Sequence, residues 1–205
     1  LPDPLLIFGA GAFLSVSIGL LFVLVMDNLE DTVVNLSDIE GRLALRVLAV
    51  LPHVPRKKRE EVAKFLVEDR YSQFSESVAG LKNLLDSPRY EPLSKCMLVI
   101  STQPGEGKTI TSTSLAIAYA QSGRRTLHVD FDMRRPRLAR VWGVDIDESR
   151  SLSHTLQNSD GDMTDFSYLV NETGVKNLDA IVSAAPDGVN PSMIFGSAAV
   201  SKFFE

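Results

Sequence analysis

The run Thr102-Gln-Pro-Gly-Glu-Gly-Lys-Thr109 holds the residues whose types and spacing point most directly to chemistry. Gly105 and Gly107 permit backbone conformations, and a closeness of approach, that a side chain would block. In such a loop successive amide N–H groups turn inward on phosphate oxygens, at the positive end of the helix that follows. Lys108 adds a point charge for β and γ oxygens, and the Thr109 hydroxyl is placed for Mg²⁺. The expected nucleotide-binding residues are therefore Gln103, Pro104, Gly105, Glu106, Gly107, Lys108, Thr109 and Ile110. The strict phosphate-loop pattern opens on Gly or Ala, and Thr102 departs from it. A second charged group, Val129-Asp-Phe-Asp-Met-Arg-Arg-Pro136, places Asp130 22 residues beyond Lys108. Asp130 and Asp132 have two uses there: orienting Mg²⁺ and its waters, or accepting a proton from an attacking group. Arg134 is suited to neutralising phosphate charge. Taken alone, Asp-x-Asp reads as a strand-ending turn with solvated charges; its spacing from Lys108 favours the metal and proton roles.

These side chains need a strand, a loop, a helix and a second strand to bring them together. Lys95–Ser101 is a short apolar strand candidate running into the glycine loop. Residues 109–122, rich in Ala, Ser and Thr, form a helix able to pack close to a sheet, with Gly123 as its stop. Thr126 onward reads as the second strand, interrupted by His128, and the helix between is a right-handed crossover. Asp130 then lies at the carboxyl end of its strand, on the sheet edge where open α/β folds bind ligands. Because Asp130 and Asp132 alternate, both face the phosphates only if the chain turns there. Upstream, Tyr71, Phe74, Val78, Leu81 and Leu85 recur at helical steps and predict a helix within 60–86, ended by Ser87-Pro88. Ser37-Asp-Ile-Glu40 reads as a capping box for a helix over 38–46, Val47–Leu51 as a strand or extended segment, and Arg56–Arg59 as a solvated basic cluster.

Composition narrows the class. The 205 residues carry 26 acidic and 21 basic side chains, a net of -5, which argues against a nucleic-acid binder. One cysteine, Cys96, excludes a disulfide framework, and its strand setting suggests a small buried hydrophobe. His53 and His154 have no ligand-spaced partners, and Trp142 reads as a packing residue. Leu5–Met26 is 22 residues without a charge, 17 of them apolar. At 1.5 Å per residue such a helix spans about 33 Å, enough for a hydrocarbon core of about 30 Å. The expectation is one transmembrane helix in contact with lipid. Gly11, Ser15 and Gly19 fall on one of its faces and would admit a second helix closely. The fold expected is α/β, a mostly parallel sheet of P-loop NTPase type flanked by helices and preceded by that transmembrane helix. Its regions are a membrane helix at 1–26, a juxtamembrane linker with helices at 27–92, and the nucleotide-binding domain at 93–205.

The pairing of Pro104-Gly-Glu-Gly-Lys-Thr109 with Val129-Asp-Phe-Asp-Met-Arg-Arg-Pro136 resembles the Walker A and Walker A′ motifs of bacterial tyrosine kinases. Those P-loop enzymes accompany polysaccharide co-polymerases, or chain-length determinants, in capsule and exopolysaccharide export. Pro2 and Pro4, the acidic stretch and prolines of 27–55, Ala184-Ala185-Pro186 and Asn190-Pro191-Ser192 resemble further segments of that family. The resemblance implies ATP and Mg²⁺ at Lys108 and Thr109, Asp130 as base toward a tyrosine hydroxyl, Asp132 on the metal's water shell, and Arg134 steadying loop or phosphate. It also implies polysaccharide-export machinery, protein tyrosines and further copies of the chain as partners. The location it implies is a bacterial inner membrane with the C-terminal domain in the cytoplasm.

Three departures stand out. The family's Glu-x-x-Arg-x-x-Arg stretch has its nearest match in Glu76, Ala79 and Lys82, without either arginine. The family's Walker B aspartate and C-terminal tyrosine cluster are not found, and the chain opens on Leu, so a fragment with little activity of its own is expected. Two other functions fit the motifs: a non-catalytic ATP-dependent assembly scaffold, and a partition- or division-type ATPase. The latter usually carries a lysine where Gln103 stands. Reading Asp130 as the Walker B residue instead loses the Asp-x-Asp-x-Arg pattern.

Overall fold

The charge-free run winds into a single helix, α1 (Pro4–Leu29), of 26 residues, about 39 Å long. The computed structural model describes residues 3–29, 41, 44–55, 62–69, 71–87, 96–159, 165–185 and 191–204, with α1 side chains at 4, 5 and 8–24. Phe8 to Leu24 is thus the longest unbroken run of described side chains in α1, and among the described residues no helix is long and apolar enough to cross a membrane. What is seen of the expected membrane segment is a helix with exposed apolar side chains, Phe8 at 80% and Leu24 at 52%. Ser15 returns its hydroxyl to the Gly11 carbonyl at 2.8 Å. The capping box at 37–40 and the basic cluster at 56–59 lie outside the described residues. Residues 44–46 are not helical, which corrects the end of the helix expected over 38–46.

Residues 1–47 and 48–205 are separate units. In the second, α2 (Val62–Glu68), α3 (Gln73–Leu85) and α4 (Lys108–Gln121) precede β1 (Thr126–Val129) and α5 (Leu138–Trp142). They are followed by α6 (Leu152–Asn158), β2 (Val170–Glu172), β3 (Leu178–Ile181), α7 (Pro191–Phe195) and α8 (Ala198–Phe204). The helix expected over 60–86 is two helices. Ser72 caps α3 by accepting the Ser75 N–H, and Ser75 Oγ donates to the Asp69 carbonyl at 2.7 Å, local bonds that compete with a continuous helix. Tyr71 falls in the break and is 92% exposed, whereas Phe74 and Val78 are buried as their spacing requires. Val47–Leu51 forms no strand, although Leu51 and Val54 pack into the core.

The expected sheet is mostly parallel; the described one is mixed, in the order β1-β3-β2. β1 runs parallel to β3, with Thr126 beside Leu178 and Val129 beside Ile181. β2 runs antiparallel to β3, with Val170 beside Ile181 and Glu172 beside Asp179. The link 173–177 is too short for a crossover and imposes that direction. It is braced by Thr173 Oγ1 on the Leu178 carbonyl (2.6 Å) and by Asn177 Nδ2 on the Ala120 carbonyl of α4 (3.3 Å). The strand expected at 95–101 makes no ladder across its described residues 96–101, where Leu98 and Ile100 are 76% and 78% exposed and Cys96 is exposed rather than buried. Apolar composition favours burial, but a ladder also needs a strand about 4.8 Å away, and the parallel neighbour of β1 is β3.

Alternation along β3 sends successive side chains to opposite faces. Leu178 joins Val62, Leu66, Phe74, Val78, Ile117 and Ala120 in the cluster that seats α2, α3 and α4. Ile181 joins Met133, Leu152, Leu156, Leu169 and Ile194 in a second cluster. Leu152 is fully buried there, so Leu152→Ala should cost about 2–5 kcal/mol in urea unfolding. A loss below about 1 kcal/mol would mean that this cluster closes around the void and does not anchor the sheet.

Candidate functional site

The glycine loop enters α4 through two left-handed positions, Gly105 at φ 93° and Gly107 at φ 105°. An L side chain is strained at such angles. Gly107 is the N-cap, so the first free N–H groups of α4 belong to Lys108 and the residues after it. Glu106 braces the loop from within. Its carboxylate accepts the Thr102 N–H at 2.9 Å, the Gln103 N–H at 3.0 Å and the Thr102 hydroxyl at 3.0 Å. The Gln103 N–H and then the Thr102 hydroxyl hold this carboxyl below its usual range. The departure at Thr102 thus has a local use, since Gly or Ala would bring no hydroxyl to Glu106. Thr109 and Ile110 are half-buried in the first turn of α4, and Ile110 packs on the first core cluster.

Across the loop, Lys108 Nζ forms an ion pair with Asp132 Oδ2. Burial pulls the Asp132 carboxyl upward, but the Lys108 hydrogen bond and the Arg135 N–H outweigh it and leave it below the ordinary carboxylate value. Asp130 does different work. Its Oδ1 accepts the Asp132 N–H at 3.0 Å, and its Oδ2 accepts the N–H groups of Arg137 and Leu138, both at 3.0 Å. Burial raises this carboxyl despite the three donors. The turn that separates the two aspartates is therefore built on Asp130, and Asp132 is the one that meets the P-loop lysine. Pro104 is exposed on the loop, and Arg134 is exposed on the 133–135 turn.

Two features escaped the sequence reading. Ser183 Oγ donates to the Asp130 carbonyl at 2.7 Å, tying the end of β1 to the residues after β3. His128, noted only as an interruption, is 7% exposed, accepts the Trp142 indole N–H on Nδ1 at 3.3 Å and lies 3.0 Å from Ser112 Oγ through Nε2. Its polarity within an apolar strand was the available signal, but its partners lie 14 and 16 residues away, on α5 and α4.

Residues 97–197 match the CobQ/CobB/MinD/ParA nucleotide binding domain family, CbiA. CapB of Staphylococcus aureus, named as a tyrosine-protein kinase, is 31% identical over 149 residues, which cover 72% of this chain and 62% of CapB. The chimerical protein CapA2B2, a solved structure, superposes with a TM-score of 0.62 at 26% identity, over 83% of this chain and 69% of that one. Residues 97–197 thus form a CbiA/ParA-type domain, and the relatives it is similar to are named tyrosine-protein kinases. The mixed sheet with flanking helices is accordingly of the P-loop NTPase type. The succinoglycan biosynthesis transport protein ExoP of Rhizobium meliloti is 30% identical over 82 residues, 40% of this chain. The chain spans less than two thirds of these curated relatives, 62% of CapB and 10% of ExoP.

Asp130→Ala would strand three backbone donors and should cost roughly 3 kcal/mol or more, while Asp132→Ala should cost under about 1 kcal/mol. Equal losses in urea titrations would contradict the division of roles. Burial also lowers the His128 pKa to about 4 from 6.5. The folded chain then binds fewer protons than the unfolded chain between those values. Stability should be complete above pH 6.5 and fall by up to about 3 kcal/mol as pH drops toward 4. That slope should shrink in His128→Phe, measured by urea unfolding at pH 4.5 and pH 7.

Proposed function

We propose that this chain is the nucleotide-binding part of an ATP-dependent protein-tyrosine kinase, held at a bacterial inner membrane by α1, that regulates capsule or exopolysaccharide synthesis and export. The observation that carries the reading is the Lys108–Asp132 pair at the mouth of a loop with two left-handed glycines. A cation, a carboxylate, a hydroxyl and a helix N-terminus at one point suit a polyphosphate with its divalent ion. Mg²⁺ is commonly held by one or two carboxylates together with substrate phosphates, which suits Asp132 beside Lys108. When bound, Mg²⁺ neutralises charge developing on the transferred phosphoryl group.

In this scheme the residues 103–110 cradle ATP. Lys108 neutralises the β and γ oxygens, while Thr109 and Asp132 hold the ion or its waters. Asp130 organises the turn that presents Asp132, with both oxygens already accepting N–H groups, and Arg134 approaches from the exposed turn. A tyrosine hydroxyl of a protein substrate would give up its proton to a carboxylate of this pair as its oxygen takes the γ-phosphoryl group, the bond to the β-phosphate breaks and ADP leaves, and catalysis rests on positioning and charge neutralisation. Support for the polysaccharide role comes from the likeness to the succinoglycan transport protein. Support for the anchor is α1 itself, whose described apolar side chains, Phe8, Phe13 and Leu24 among them, are exposed. The export machinery and further copies of the chain are the partners this role requires. The engagement of Asp130 with three N–H groups favours one second reading, a nucleotide-dependent assembly scaffold without phosphoryl transfer.

Incubating the full-length protein with ATP and Mg²⁺ should yield phosphotyrosine, reduced at least about 100-fold by Lys108→Met, the loss of a charge-assisted phosphate contact in the transition state. Signal undiminished in Lys108→Met would sink the kinase reading. Nucleotide binding without any phosphotyrosine would leave the scaffold.

A further inference from the structure

Trp142 fixes the direction of a hydrogen-bond chain that ends inside the phosphate loop's helix. An indole N–H can only donate. Nδ1 of His128 must therefore accept, which places the imidazole hydrogen on Nε2 and aims it at Ser112 Oγ, 3.0 Å away. Ser112 receives that hydrogen and donates its own to the Thr109 carbonyl at 3.1 Å. The far end of the chain is equally tied. Trp142 closes α5, and the N–H groups of Arg137 and Leu138 at the start of α5 bond the Asp130 carboxylate. A continuous chain results, running from Asp130 through α5, Trp142, His128 and Ser112 to Thr109. The direct Lys108–Asp132 pair bridges the same two segments separately.

We propose that His128 is a positioning residue of the nucleotide site: through Ser112 it sets the first turn of α4, and so the Thr109 hydroxyl, for Mg²⁺ bound with a nucleotide. The proposal rests on the ATP·Mg²⁺ reading of the loop. A Val, Ile or Leu would fill the same buried strand position without the desolvation cost of an imidazole. What His128 adds is a rigid, two-ended connection between α5 and α4, and Ser112 passes it to the backbone of the residue that carries the metal-facing hydroxyl. The burial that keeps the ring neutral also keeps Nδ1 available to Trp142.

The test measures ADP binding to the full-length protein by calorimetry, with and without Mg²⁺, in wild type, Ser112→Ala, His128→Leu and His128→Gln. Ser112→Ala and His128→Leu should cut the Mg²⁺-dependent gain in affinity about tenfold while metal-free affinity stays within about twofold, the scale of one hydrogen bond. His128→Gln, which keeps a donor toward Ser112, should recover most of the gain. Trp142 is the one tryptophan among these 205 residues, so emission from the 205-residue chain reports on the same hydrogen-bond chain. It should respond to ADP·Mg²⁺ in wild type and lose that response in Ser112→Ala. Variants with a lower melting temperature but an unchanged Mg²⁺ gain would reduce His128 to a structural residue and overturn the proposal. If His128→Leu fails to fold, Ser112→Ala decides, because it breaks the chain on the α4 side. Absence of any nucleotide binding by wild type would overturn the ATP reading and this proposal together. Normal binding in wild type with no change in Ser112→Ala would overturn this one alone.

Discussion

A carboxylate withdrawn from water must find its donors within the protein, and the segment after β1 is arranged around that requirement. Asp130 collects the N–H groups of Asp132, Arg137 and Leu138, while its own N–H bonds the Ile181 carbonyl at 2.9 Å and its carbonyl accepts Ser183. Each bond constrains a different neighbour. The chain turns back on itself between 131 and 138, Met133 is driven into the second core cluster, and α5 begins where its first N–H can reach the carboxylate. Register between β1 and β3 is set at the same residue. The alignment of Asp132 with Lys108 follows from this turn and needs no separate device.

The phosphate loop obeys a similar logic on a smaller scale. Two left-handed glycines leave a loop with little side-chain mass, and such a loop would sample many shapes. Glu106 limits it by accepting two backbone donors and a hydroxyl from the loop's own first residues. That carboxylate is exposed, so the brace is weaker than the buried one at Asp130 and gives the loop shape without freezing it.

The parts legible in the sequence were those governed by short-range rules. The glycines, Lys108 and the small-residue helix α4 stand where their spacing placed them, as does Asp130 at the strand end. What was not legible depends on distant partners. Nothing near Asp130 announces that its acceptors are filled by residues up to eight positions away, and periodicity cannot foresee that Ser72 and Asp69 interrupt a helical pattern. The parallel–antiparallel choice for β2 turns on a five-residue link whose length is visible only once both strands are known. Leu98 and Ile100 show the limit from the other side: apolar composition favours a strand, but a strand exists only with a neighbour.

Helix α4 buries Thr113, Ser114, Ala116 and Ala120 alongside Leu115 and Ile117. Most of these side chains have almost no rotamers to rearrange, and Ala116 and Ala120 share a cluster with Leu66 of α2, Phe74 and Val78 of α3 and Leu178 of β3, so on the α4 side the spacing is set by methyls. A core of long, flexible side chains absorbs an added carbon by repacking; the α4 side of this cluster offers little such slack. Enlargement at Ala116 or Ala120 would be transmitted as a rigid displacement of the helix, and the end that moves carries Lys108. The small residues therefore act as a gauge block, and the precision of the phosphate loop is inherited from a surface several turns away that never meets the ligand.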